Sequence, residues 1–222
     1  MDILDTKYFL DENDNLQTFE IFRESDPFSP RDEDINLTKL YIEWGRHKDH
    51  YGDDFKSIEA EIETLADKYL EVDSEEYEDL STMDLLKQLD ANAYDKVRVF
   101  LVYGYEHGGF TISLGNGYPY NDRWDSGIAG ICVVTKDICE EYGSDFKDAE
   151  AIALAEVSTF DMYLQGDVYG CKVNDEIIYG DHYSREYGDR LFSEIANEVG
   201  YAEYDFYDTE EECLESVCKE LD

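Results

Sequence analysis

A chain of 222 residues with 56 acidic and 18 basic side chains has to fold against a formal charge of −38. Self-repulsion on that scale destabilises every compact state. Four kinds of chain tolerate it: chains that stay unfolded, chains adapted to concentrated salt, chains that load cations, and chains that present an anionic surface to a basic partner.

Disorder does not fit the composition. Hydrophobic residues make up 42% of the chain and aromatics 14%, with 19 Tyr, 11 Phe and only 3 Pro. Disordered acidic chains lack the aromatic and aliphatic residues needed to offset the entropy of folding. This chain has enough for one large domain or two small ones. Halophilic adaptation would deplete Lys and large aliphatics, and both persist here. Met1–Asp5 has neither a basic nor an apolar leader character, and no stretch approaches about 18 apolar residues. A polyanion is also repelled by anionic lipid. The expectation is a cytoplasmic protein with no membrane role. The five cysteines, Cys132, Cys139, Cys171, Cys213 and Cys218, are odd in number and lack CxxC spacing. They read as free or buried thiols in a reducing compartment.

Along the chain, the apolar runs on either side of Asp11–Asn15 predict a β-hairpin. Leu37, Leu40, Tyr41 and Trp44 at helical spacing predict a helix opening at Asp34. Further helices are expected over 53–70 and from Ser81 to Leu89, with Ser81 or Thr82 as N-cap. The texture changes near residue 93. Val97–Tyr103, Phe110–Leu114 and Gly127–Val134 read as strands. A short helix follows Thr135, a long one runs from Lys147 to Leu164, and a hairpin turns at Asn174–Asp175. Helices over 185–199 and 209–221 close the chain. The predicted fold is α+β: an antiparallel sheet with helices on one face, plus an N-terminal hairpin-and-helix region. The predicted organisation is 1–92, 93–200 and an acidic tail at 201–222.

The acids are clustered. Glu59, Glu61, Glu63, Asp67, Glu71, Asp73, Glu75, Glu76, Glu78 and Asp79 form one run opposed only by Lys68. If helical, that run carries roughly one charge per 3 Å of axis, against about 3.4 Å per phosphate on one strand of B-DNA. Glu203, Asp205, Asp208, Glu210, Glu211, Glu212 and Glu215 form a second run. Solubility alone asks for a net charge of magnitude about 2–8 in a small domain. Carboxylates at phosphate-like density suit a basic groove built for nucleic acid, and nearby tyrosines such as Tyr69, Tyr77, Tyr201, Tyr204 and Tyr207 would add interface aromatics.

Rival chemistry is thin. Asp11–Asn15 begins like a calcium loop, but Leu16 and Phe22 stand where Gly and a bidentate Glu are required. Trp124-Asp125-Ser126-Gly127 lacks the leading glycine of a nucleophile elbow. His47 and His50, three apart on the expected helix, could share a metal, although Asp49 and Asp53 more simply stabilise their protonated forms. Gly104–Gly109 is followed by no Gly-Lys-Ser/Thr. No catalytic residue, metal ligand or cofactor is expected. Bottom-up, Trp124 closes one end of the core, Gly127 and Gly130 permit close strand approach, Asp125 and Ser126 cap their turn, and Gly166 ends a helix.

Val99–Tyr103, His107-Gly108-Gly109, Arg123–Gly130 with its W-D-S-G core, and Thr159–Gly170 with Y-L-x-G-D-V-Y-G resemble a widespread family of small phage and mobile-element proteins. The resemblance covers roughly residues 94–190, implies a mobile-element origin, and supplies no catalytic residues. In charge alone the chain also resembles DNA-mimicking anti-restriction and anti-CRISPR proteins. The expected function is a non-enzymatic mimic that fills the basic nucleic-acid-binding groove of a host defence complex and does not itself bind nucleic acid. The alternative is a small-molecule- or metal-binding accessory protein with its site near Trp124–Ser126.

Overall fold

The computed structural model describes residues 2–32, 35–45, 49–70, 80–115, 120 and 124–220, with 217–220 as backbone only. The chain folds as two compact units, Ser29–Gln165 and a second made of Met1–Phe28 with Gly166–Asp222.

In the larger unit the central strand is β7 (Ser126–Thr135), whose Ile131, Cys132, Val133 and Val134 are all buried. Consecutive buried residues point to opposite faces of a strand, so this run needs cover on both sides. It gets neighbours and cover together. β3 (Thr38–Trp44) and β5 (Val97–Glu106) flank it, and β4 (Asp49–Gly52) and β6 (Phe110–Leu114) are the edges, in the order β4-β3-β7-β5-β6, all antiparallel. Helices α1 (Ile58–Tyr69) and α2 (Thr82–Asn92) pack Ile62, Ala66, Leu85 and Leu89 with Val97, Ile131 and Val133. Helix α4 (Ala149–Gln165) packs Ala153, Val157 and Phe160 with Val102, Cys132 and Val134 on the opposite face. A short helix, α3 (Lys136–Glu141), follows β7, with Thr135 as its N-cap.

The smaller unit is a four-stranded antiparallel sheet in the order β1-β2-β8-β9: β1 (Asp2–Leu10), β2 (Leu16–Arg23), β8 (Val168–Val173) and β9 (Glu176–Tyr183). Helix α5 (Asp189–Glu198) buries Leu191, Phe192, Ile195 and Ala196 with Phe9, Phe19, Ile21, Tyr169 and Cys171. Helix α6 (Glu210–Glu220) follows the Tyr8–Tyr207 bridge.

The α+β class and the antiparallel sheets are as the sequence predicts. Two expectations are corrected. Residues 38–44 form a strand, because the run is truly period two: Thr38, Leu40 and Ile42 are buried and Lys39 is exposed, in β-favouring Thr, Tyr, Ile and Trp. The helical spacing of Leu37, Leu40 and Trp44 is a coincidence of that alternation, and it hides β4. The larger sheet carries helices on both faces, which the single-face expectation omits. β2 pairs with β8 across some 150 residues, Phe22 opposite Gly170, so the N-terminal hairpin belongs with the C-terminal third.

Candidate anionic surface

Helix α1 starts at Ser57, whose hydroxyl accepts from the Ala60 N–H at 3.2 Å. With Ile62, Ala66 and Tyr69 turned inward, Glu59, Glu63 and Asp67 are exposed and Glu61 is half-buried. The three exposed acids fall at i, i+4 and i+8, one stripe with axial steps of about 6 Å. Acids in the first turn favour the helix dipole, but Asp67 near the C-terminus opposes it. The stripe is therefore not explained by helix stability. Lys68 reaches Asp137 at 3.8 Å. The four acids of this 12-residue helix give one per about 4.5 Å of axis, looser than the sequence predicts for the run. Glu71, Asp73, Glu75, Glu76, Glu78 and Asp79 lie outside the described residues.

The second run is denser. Thr209 caps α6, its hydroxyl accepting from the Glu212 N–H at 3.2 Å. Cys213 is buried, and Glu210, Glu211, Glu212 and Glu215 are exposed. With Glu220, this 11-residue helix carries one acid per about 3.3 Å of axis, close to the phosphate spacing on one DNA strand. No described cation pairs with those four exposed acids. Just upstream, Tyr201, Tyr204 and Phe206 ring Phe9 at centroid distances of 4.9–5.5 Å. That inward turn leaves Glu203, Asp205 and Asp208 outside. Asp208 is already engaged: it lies 2.5 Å from Lys7 Nζ, which Asp189 also approaches at 3.3 Å. The bond to Asp208, ahead of the others, raises the Lys7 pKa.

The two runs belong to different units. The tyrosines read from sequence as interface aromatics mostly pack: Tyr69 is buried, Tyr201 and Tyr204 pack against the core, and Tyr207 bridges to Tyr8. Tyr77 lies outside the described residues.

Other sequence candidates resolve into structure. His50 is on β4, 3.5 Å from Glu43 and stacked on Phe55, so the shared-helix metal pair is withdrawn; His47 lies outside the described residues. Asp11 accepts from the Asn15 and Asn13 N–H groups, which lower its pKa and lock the hairpin turn. Trp124 closes no core, since it is 95% exposed. The Asp125 carboxylate faces His107 at 3.4 Å, and its backbone carbonyl accepts from Glu106. Gly130 is required where β3 pairs with β7, because a Cβ there would meet the Tyr41 carbonyl oxygen at 2.0 Å. Gly166 takes φ +70 just past α4. Asp161, in the Y-L-x-G-D-V-Y-G region, is buried and accepts from Thr111 Oγ1 and Ile112 N–H, each at 2.7 Å, pinning β6 to α4. Among the described residues no group of three or more His, Cys, Asp or Glu side chains is placed to hold a metal ion.

Sequence reasoning misses the buried Arg31 cluster. Its guanidinium meets Glu156 at 2.7 Å, Asp53 at 2.6 Å and the Thr38 carbonyl at 2.8 Å. The same carboxylates accept from the Leu37 and Leu40 N–H groups at 2.7 Å. These closed contacts tie β3 to α4 and leave the carboxylates occupied. Cys132 beside them is no nucleophile, since burial pushes its thiol up to about 12. The only signal in sequence is one arginine in an acidic, proline-flanked loop.

Comparison with protein-family models, curated proteins and solved structures finds no match.

Proposed function

We propose that the chain is a non-enzymatic inhibitor from a phage or other mobile element that occupies the basic nucleic-acid-binding groove of a host defence complex, of the anti-restriction or anti-CRISPR kind. One observation carries the reading: α6 presents Glu210, Glu211, Glu212 and Glu215 to solvent without a described cation partner, and counting Glu220 the helix carries acids at nearly phosphate-like axial density. Glu211 and Glu215, four apart, cost the helix a few tenths of a kcal/mol, about 0.2–0.5 by the usual like-charge penalty. A groove lined with Lys and Arg turns that cost into binding, because it gains affinity by releasing counterions from closely spaced negative charge. The net charge of −38 steers the encounter over long range. The same charge repels duplex DNA, so the target is the protein that binds DNA. The Glu59, Glu63 and Asp67 stripe of α1 is a second, sparser surface of the same kind.

The test is displacement of labelled duplex DNA from a purified host restriction or CRISPR complex, measured over a range of salt. The chain should displace DNA, with an affinity that falls steeply as salt rises. Reversing Glu210, Glu211, Glu212 and Glu215 to Lys should flatten the log–log salt slope by about 3 to 4, near 0.9 per charge. Displacement by the reversed variant equal to that of the parent would contradict the reading.

A further inference from the structure

Only 18 residues of this chain are basic, yet Lys7 and Arg23 both line one cavity of about 410 Å³ in the smaller unit. That volume lies within the range of about 300–1,000 Å³ typical of small-molecule sites. Leu4, Ile21 and Leu191 supply an apolar wall. The pairing register shifts between Ile3 and Asp5, so Leu4 sits at an irregularity of the edge strand, a usual device for re-aiming a side chain.

The polar end of the cavity is rich in donors. Gly188, on its lining, is the N-cap of α5 at φ 55, and no side chain caps that helix end. The first N–H groups of α5 are thus left for a ligand or water. Tyr169 is fully buried on the same lining, and its hydroxyl has no hydrogen-bond partner. A buried hydroxyl in that state is costly and calls for a partner. The Arg23 guanidinium lies 5.7 Å over the Tyr169 ring, near enough to the hydroxyl to favour its ionised form, and is only loosely engaged by Asp167, at 3.7 Å. Lys7 is held by Asp208 and Asp189 and adds little free charge.

We propose that this cavity binds the carboxylate of a small organic acid. The Tyr169 hydroxyl, the Arg23 guanidinium and the open N-terminus of α5 would hold the carboxylate, with the ligand's apolar body against Leu4, Ile21 and Leu191. Asp5 and Asp189 on the lining set the charge limit. They repel a second negative charge, so a monoanionic carboxylate is accepted and a phosphate dianion disfavoured. The site is independent of the acidic surface on α6 and stands or falls separately from it.

The test is an ¹H–¹⁵N titration of the full chain at fixed ionic strength, with benzoate as probe and benzylamine and inorganic phosphate as comparators. Benzoate should shift the amides of Gly188 to Leu191 and of Arg23. Tyr169→Phe and Arg23→Gln should each weaken it about tenfold, the usual cost of one hydrogen bond to a charged group. Tyr169→Phe removes only the unpartnered oxygen; if it fails to fold, Arg23→Gln, at a partly exposed position, decides. No shift at tens of millimolar benzoate would overturn the proposal. So would tighter binding of benzylamine or phosphate at these amides, or equal benzoate affinity in a folded variant.

Discussion

The two units carry the same formal charge on very different scaffolds. The unit Ser29–Gln165 holds 31 acids and 12 bases on 137 residues, and the other holds 25 acids and 6 bases on 85, so each stands at −19. The larger spreads its charge over a sheet covered on both faces and pairs its buried Arg31 with the carboxylates of Asp53 and Glu156. The smaller concentrates its charge around an aromatic core of Phe9, Phe19, Phe192, Phe206, Tyr201 and Tyr204. High charge is thus compatible with folding in two ways: dilution over a long aliphatic core, or placement outside a compact aromatic one. In the second the acids stay crowded and solvent-facing, which is where a binding surface is expected.

The largest effects should come from breaking each core. Arg31→Leu removes the buried partner of half-buried Asp53 and Glu156, leaving Asp53 only Lys39 at 3.5 Å and Glu156 no described cation, and should cost about 3–5 kcal/mol. Phe19→Ala should cost a similar amount, about 3–5 kcal/mol, through the cavity it leaves. Chemical denaturation gives both magnitudes. Hydrogen exchange should place the Arg31 effect in β3 and α4 and the Phe19 effect in β2, β8 and α5. An Arg31 variant of parental stability would show that the buried cluster is dispensable.

How much of this is legible in the sequence depends on whether local pattern and global pairing agree. Phe110–Leu114 reads as a strand with its observed bounds, because β-branched and aromatic residues follow a Gly-Gly turn. The Ser81 cap of α2 is legible for the same local reason. Thr38–Trp44 misleads because its alternation also satisfies a helical template at Leu40 and Trp44. The pairing of β2 with β8 and the convergence of Arg31 with Asp53 and Glu156 are long-range events with no local signature. For the site, the acids are legible as residues, and their exposure in α6 follows from Cys213 facing inward. The engagement of Asp208 by Lys7, 201 residues apart, is not legible.

Salt should separate the units next. The Debye length falls from about 30 Å at 0.01 M to about 8 Å at 0.15 M, and the smaller unit, with the denser charge, should gain more. Residue-resolved exchange across that salt range should show the greater protection gain in β1, β2 and β8. An equal gain in β3, β5 and β7 would mean that charge density does not distinguish them.

The smallest expected effect is alkaline. Burial pushes Cys132 up to about 12 and Cys171 up to about 11, from 9.0, and Tyr41 and Tyr179 up to about 12, from 10.0. The folded chain therefore keeps protons that the unfolded chain gives up, so this contribution is whole below pH 9 and lost as pH rises from 9 towards 12. Tyr41→Phe should flatten the large unit's decline above about pH 10 by about 1 kcal/mol after allowance for partial exposure. Unfolding curves at stepped pH check it, and an unchanged slope would remove Tyr41 from the account.

The central claim is that the crowded acids of α6 act as a nucleic-acid-like surface against host defence. It is tested most directly by phage plating on restriction- or CRISPR-proficient cells that express the chain or its Glu210, Glu211, Glu212 and Glu215 to Lys variant. The account predicts that the parent chain raises plating efficiency and that the folded variant loses at least about tenfold of that gain, the equivalent of about 1.4 kcal/mol of binding. Equal protection by a folded variant, or no protection by the parent in any proficient strain, would contradict it.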